Sequence, residues 1–131
     1  MNNLNLIHNY FSISQSQETK LKKLIAELVV CNKHVNLVGK STLINPWRSH
    51  ILDCIQITPF IEIKNSSILD MGTGAGFPGL ILAIMGYERV SVIDSNGKKI
   101  NFINSVCKKL DIKASVFLNR IEKLNNKKFD F

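Results

Sequence analysis

Ile68-Leu69-Asp70-Met71-Gly72-Thr73-Gly74-Ala75-Gly76-Phe77-Pro78-Gly79 is the stretch whose reading decides the fold. Residues 67–71 form a short apolar run. Ser67, Ile68, Leu69 and Met71 suit a strand covered on both faces. Gly72, Gly74, Gly76 and Gly79 then predict a turn, since glycine alone bends the chain freely in either sense. Pro78 suits the first helical position, where its missing N–H costs nothing. Leu80 to Met85 is apolar all round, so the helix should be buried, and Gly86 stops it. Strand, turn and helix are the first half of a βαβ unit. Such a unit binds its ligand beyond the carboxyl end of its first strand.

The glycines admit two ligands. Gly74-x-Gly76-x-x-Gly79 matches the dinucleotide fingerprint of nicotinamide-dependent oxidoreductases. Gly72-x-Gly74-x-Gly76, with Asp70 just before it, matches the first motif of S-adenosylmethionine (SAM) methyltransferases. Asp70 favours the second. A carboxylate at the loop repels a pyrophosphate but attracts a sulfonium and an ammonium. Pro78 also removes an N–H that a pyrophosphate would use.

Downstream, Val90, Val92 and Ile93 predict a second strand ending at Asp94. Asp94 follows Gly74 at the interval where an acidic residue reaches ribose hydroxyls in both fold types. Ser95 or Asn96 should cap a helix with a buried stripe of Ile103, Val106, Cys107 and Leu110. A third strand is expected at 114–118, and Asn119 to Leu124 should lie at its carboxyl end beside the cleft. There Ile121 can flank an adenine and Glu122 can accept from its amino group, although an ordinary connection fits the local pattern equally well. Phe129-Asp130-Phe131 reads as the opening of a fourth strand.

Upstream, residues 1–64 read as helical and 65–131 as the α/β part of one incomplete domain. Leu4 to Phe11 predicts a short helix. Ser14 and Gln17 have capping-box spacing before an amphipathic helix carrying Leu21, Leu24, Ile25, Leu28 and Val29 on its apolar side. Val35, Leu37 and Val38 should tuck into the core. Asn45-Pro46 should start a helix that Pro59 ends, with Trp47, Ile51 and Ile55 on one face. His50 and Asp53 stand at neighbouring helical spacing and can orient each other, a structural pair before a catalytic one.

The chain has 131 residues, a net charge of +7 and three cysteines, Cys31, Cys54 and Cys107. An anionic partner such as nucleic acid suits that charge. The cysteines lack Cys-x-x-Cys spacing and the histidines lack ligand spacing, so no metal is expected. No apolar run reaches a membrane span and no signal segment is evident, so a cytoplasmic protein is expected.

Nearly end to end, the residues resemble the ribosomal RNA small subunit methyltransferase G family, also called glucose-inhibited division protein B. The matching pieces are Asn32-Lys33-x-x-Asn36-Leu37, Arg48-Ser49-His50-Ile51-Leu52-Asp53-Cys54, Asp70 to Gly79 with its Phe-Pro-Gly ending, Asp94 to Lys99, and Asn119-Arg120-Ile121-Glu122. Cys31 stands where the family usually has tryptophan. The resemblance implies a Rossmann-like, class I SAM-dependent methyltransferase fold, with N-terminal helices followed by an incomplete parallel sheet. It implies methylation of N7 of a guanine in 16S rRNA of the small ribosomal subunit by a monomer. Gly72, Phe77, Ile121 and Glu122 would hold SAM, and Asp94 would take the acidic ribose position, alongside Asp70, Gly74 and Gly76 of the loop. The family's strand-four Ser-Arg-Ala segment has no counterpart in these residues. They are therefore expected to be marginally stable and to transfer no methyl group alone. A remnant that binds SAM or RNA without turnover is the alternative.

Overall fold

The computed structural model describes residues 3–124 and 128–131. Helices α1 (Asn3–Tyr10) and α2 (Gln15–Cys31) come first, then a 3-10 turn at Lys40–Leu43. A π-helical segment, Trp47–Leu52, runs into the short α3 (Asp53–Ile55), and Thr58–Phe60 forms another 3-10 turn. The α/β part follows as β1 (Ser67–Met71), α4 (Gly79–Ile84), β2 (Arg89–Asp94), α5 (Gly97–Leu110), β3 (Ser115–Leu118) and a 3-10 turn at Ile121–Lys123.

The start of α2 follows directly from sequence. Gln17 N–H donates to Ser14 Oγ at 3.1 Å, and Ser14 N–H donates to Gln17 Oε1 at 2.8 Å. Each end of this reciprocal pair satisfies a helix donor that would otherwise lack a partner. Ser14→Ala is expected to lower unfolding stability by about 1 kcal/mol. An unchanged urea midpoint would show that the box contributes nothing. Leu21, Leu24 and Leu28 are fully buried, whereas Val29 is mostly outside the packed stripe. At the other end, Asn32 Oδ1 accepts from Leu37 N–H at 2.9 Å and Val38 N–H at 3.0 Å. That clasp turns the chain so that Leu37 enters the core.

The sheet is parallel, in the order β1-β2-β3. Ile68 pairs with Val90, Asp70 with Val92 and Ile93 with Phe117. Consecutive parallel strands joined by right-handed crossovers bring α4 and α5 to one face. On that face Ile68, Val90 and Val92 are buried under Leu80, Ile81, Ile103 and Val106, and the same core continues into Ile7, Leu21, Leu24 and Leu28.

Three expectations need correction. Met71 is 59% exposed, and Leu69 and Phe117 on its side of the sheet are only half-buried. A run of apolar residues reports which strand faces can be buried, and here the helices cover one of them. Pro59 does not end the preceding helix. That helix stops at Ile55, and Pro59 instead is the second residue of the Thr58–Phe60 turn, where its missing N–H is tolerated. Phe129 to Phe131 is not a regular strand, but it lies along β1 on the edge away from β2. Phe131 N–H donates to Ser67 O at 3.1 Å and Leu69 N–H donates to Phe131 O at 3.0 Å, as in a parallel bridge. Ser67 N–H also donates to Asp130 Oδ2 at 2.8 Å.

Candidate cofactor site

The glycine loop leaves β1 at Gly72 and enters α4 at Gly79. Gly72, Gly74 and Gly76 have φ of 61°, 62° and 98°, conformations that other residues rarely adopt. Thr73 N–H donates to Ile93 O at 3.0 Å and ties the loop to β2. The Thr73 side chain turns inward, 4% exposed, and its hydroxyl donates to Asp70 Oδ2. Gly79 N–H donates to the same oxygen at 2.9 Å. Asp70 therefore joins the end of the strand, the middle of the loop and the start of the helix. Burial pushes its carboxyl above the ordinary carboxylate range; the Thr73 and Gly79 bonds oppose this and the charge of Asp94 adds to it.

Asp94 closes the loop from the other side. Its Oδ2 accepts from Gly74 N–H at 2.9 Å and its Oδ1 from Asn96 N–H at 2.8 Å. Asn96, of the two candidates, caps α5, accepting from Lys98 N–H and Lys99 N–H at 3.0 and 3.2 Å. Asn119 N–H donates to Asp94 O at 3.1 Å and brings the end of β3 alongside.

The result is an open cleft of about 340 Å³ at the carboxyl ends of the strands, lined by Gly72, Asp94, Ser95, Asn119, Arg120, Ile121 and Glu122. It gathers four of the expected residues, Gly72, Asp94, Ile121 and Glu122. Gly74 joins them through its bond to Asp94. Asp70 lies under the loop. Gly76 is buried, and a side chain there would meet Leu80 Cδ1 at 2.6 Å. Gly79 is also required by packing, because a Cβ would lie 2.4 Å from Val92 Cγ1. Phe77 is half-buried against the core, its ring centroid 5.3 Å from that of His50. Thr73 is the residue that motif reading missed; its only sequence signal is its position three residues after Asp70.

His50 does not hydrogen-bond to Asp53. Its Nε2 lies 2.8 Å from Thr42 Oγ1, and Asp53 acts on it only through charge. The expected pairing rested on α-helical spacing, and Trp47–Leu52 is π-helical. Next to it, the Cys54 thiol is pushed up to about 12, by burial first and then by the charges of Asp53 and Asp70. It is a core residue and no nucleophile at neutral pH. Among the described residues no cluster of His, Cys, Asp and Glu could hold a metal ion, and no helix is long and apolar enough to cross a membrane.

A family model described as rRNA small subunit methyltransferase G matches residues 17–131. The chain is 37% identical over 123 residues to the ribosomal RNA small subunit methyltransferase G of Cereibacter sphaeroides, an alignment covering 90% of this chain and 60% of that protein. It is 36% identical over 117 residues to the protein of that name from Orientia tsutsugamushi, covering 89% and 59%. A Rickettsia felis protein of the same name is 39% identical over 93 residues, covering 71% and 48%. The chain thus spans about 60% of the length of the first of these curated relatives.

Proposed function

The chain belongs to the rRNA small subunit methyltransferase G family, and on that premise we propose that it uses SAM to methylate N7 of a guanine in 16S rRNA of the small ribosomal subunit. The observation that carries the choice of SAM is the use of the loop's donors. Gly74 N–H is bound to Asp94 and Gly79 N–H to Asp70, both at 2.9 Å. A pyrophosphate needs such N–H groups free and no carboxylate among them. A cationic ligand gains from the same two carboxylates.

In this reading Asp94 accepts from the ribose hydroxyls. Ile121, 45% exposed, flanks the adenine, and Glu122 beside it accepts from the adenine amino group. Gly72 and Phe77 complete the loop side. SAM supplies an electrophilic methyl group on a positively charged sulfur. Guanine N7 carries its lone pair without a proton, so the chain needs no base. Its task is to hold the two reactants in line and keep them there. The exposed Arg120 lines the cleft and, with the exposed Lys98 at the start of α5, suits phosphate contacts, while the target base must be splayed out of its RNA loop to enter. The protein is proposed to act as a cytoplasmic monomer with no metal.

Calorimetric titration with SAM, S-adenosylhomocysteine and NAD tests the reading. Binding of the first two without NAD is expected. NAD binding without SAM would overturn it. Transfer of radiolabel from SAM to small subunits lacking the modification separates an enzyme from a remnant that only binds.

A further inference from the structure

His50 belongs to the N-terminal helical part, yet its ring touches the glycine loop. The centroids of His50 and Phe77 are 5.3 Å apart with their planes inclined at 39°. On its other side the His50 Nε2 meets Thr42 Oγ1 at 2.8 Å. The proton on that bond can be placed from its neighbours. The Thr42 hydroxyl has one hydrogen, and it donates to Gly39 O at 2.6 Å. Towards His50 it can therefore only accept, so the proton sits on Nε2 and the lone pair of the neutral ring on Nδ1. Burial favours that neutral ring, and the charge of Asp53 opposes it.

The backbone supports the same point independently. His50 lies within the π-helical segment Trp47–Leu52, while the flanking α3 is ordinary α-helix. Such segments are rare and, where they occur, are frequent at functional sites. Ile51 and Ile55 remain fully buried on either side of the change, so the core is kept while His50 is turned towards Thr42 and Phe77.

We propose that His50, held by Thr42, is a positioning residue for the cofactor loop, fixing the Phe77 side chain from the N-terminal helical part. The inference rests on the cofactor reading above. It adds a line of contact, Gly39 to Thr42 to His50 to Phe77, through which the helical part sets the shape of the loop. His50 touches neither methyl group nor base in this role.

The test is calorimetry with S-adenosylhomocysteine, combined with NMR of the Phe77 ring in the ligand-free chain. Thr42→Val removes the acceptor while keeping the shape. It is expected to weaken binding about three- to tenfold and to shift the Phe77 ring resonances. Thr42→Ser restores the hydroxyl and recovers most of the affinity. On a Phe77→Leu background Thr42→Val should have little further effect, since the contact it works through is gone. Where Thr42→Val melts too low to titrate, His50→Gln, which keeps a donor but no ring, should show the same loss. Folded variants with wild-type affinity and an unmoved Phe77 ring would overturn the inference alone. Equal losses with and without Phe77→Leu would also overturn it. A wild-type chain that takes no S-adenosylhomocysteine removes the cofactor reading and this inference together.

Discussion

Asp94→Ala is expected to weaken SAM binding about ten- to a hundredfold, or roughly 1.5–3 kcal/mol, the range for losing charge-assisted hydrogen bonds. The side chain has two tasks. Its carboxylate accepts from Gly74 N–H and Asn96 N–H in the ligand-free chain, and it lines the cleft where ribose hydroxyls would arrive. Alanine removes the acceptor and also releases the glycine loop. Asp94→Asn keeps one acceptor oxygen but loses the charge, so its loss should be smaller. Calorimetry on both variants, with circular dichroism to confirm folding, gives the comparison. Unchanged affinity in a folded Asp94→Ala chain would make the residue purely structural.

Asp70→Ala should be the most destabilising of the substitutions considered. The Thr73 hydroxyl and Gly79 N–H both donate to Asp70 Oδ2, and Thr73 is only 4% exposed. Without that oxygen each donor is left unpaired, and a buried unpaired group costs about 1–3 kcal/mol. A total loss of about 2–6 kcal/mol follows, a large part of the about 5–15 that holds a domain together. Asp70→Asn distinguishes the bonds from the charge. Burial raises the Asp70 carboxyl above its ordinary 3.8. The stability of its protonated form is therefore fully present below 3.8 and is lost as pH rises through the folded value. Asparagine keeps an acceptor and carries no charge. It should cost little at neutral pH and flatten the melting temperature across the acid range. If the cofactor is cationic, Asp70→Asn should still weaken its binding. Equal destabilisation by Ala and Asn would show that the charge itself, rather than the two hydrogen bonds, holds the loop.

Much of this protein was legible in its sequence because the controlling interactions are local or periodic. Ser14 and Gln17 are three residues apart, so their capping box needs no tertiary information. The βαβ unit is nearly local as well. A strand, a glycine turn and an apolar helix return the chain alongside itself, which is why Asp94, expected from its spacing to stand at the loop for ribose hydroxyls, lies close enough for Gly74 N–H to donate to it. The cleft residues Ile121 and Glu122 followed from the same repeating path, one strand further on.

What sequence left open was decided by packing. The apolar run of β1 could not say that helices would cover one face and leave Met71 59% exposed, because burial depends on what arrives from elsewhere in the chain. Asp70 was expected to present its carboxylate to the ligand, yet only the fold shows one oxygen turned inward to Thr73 and Gly79. His50 had a plausible neighbour in Asp53 at α-helical spacing, and the π-helical backbone gave it Thr42 and Phe77 instead. Periodicity assigns a residue to a face for an assumed helix; the partner it meets there is set by the real backbone and by elements distant in sequence.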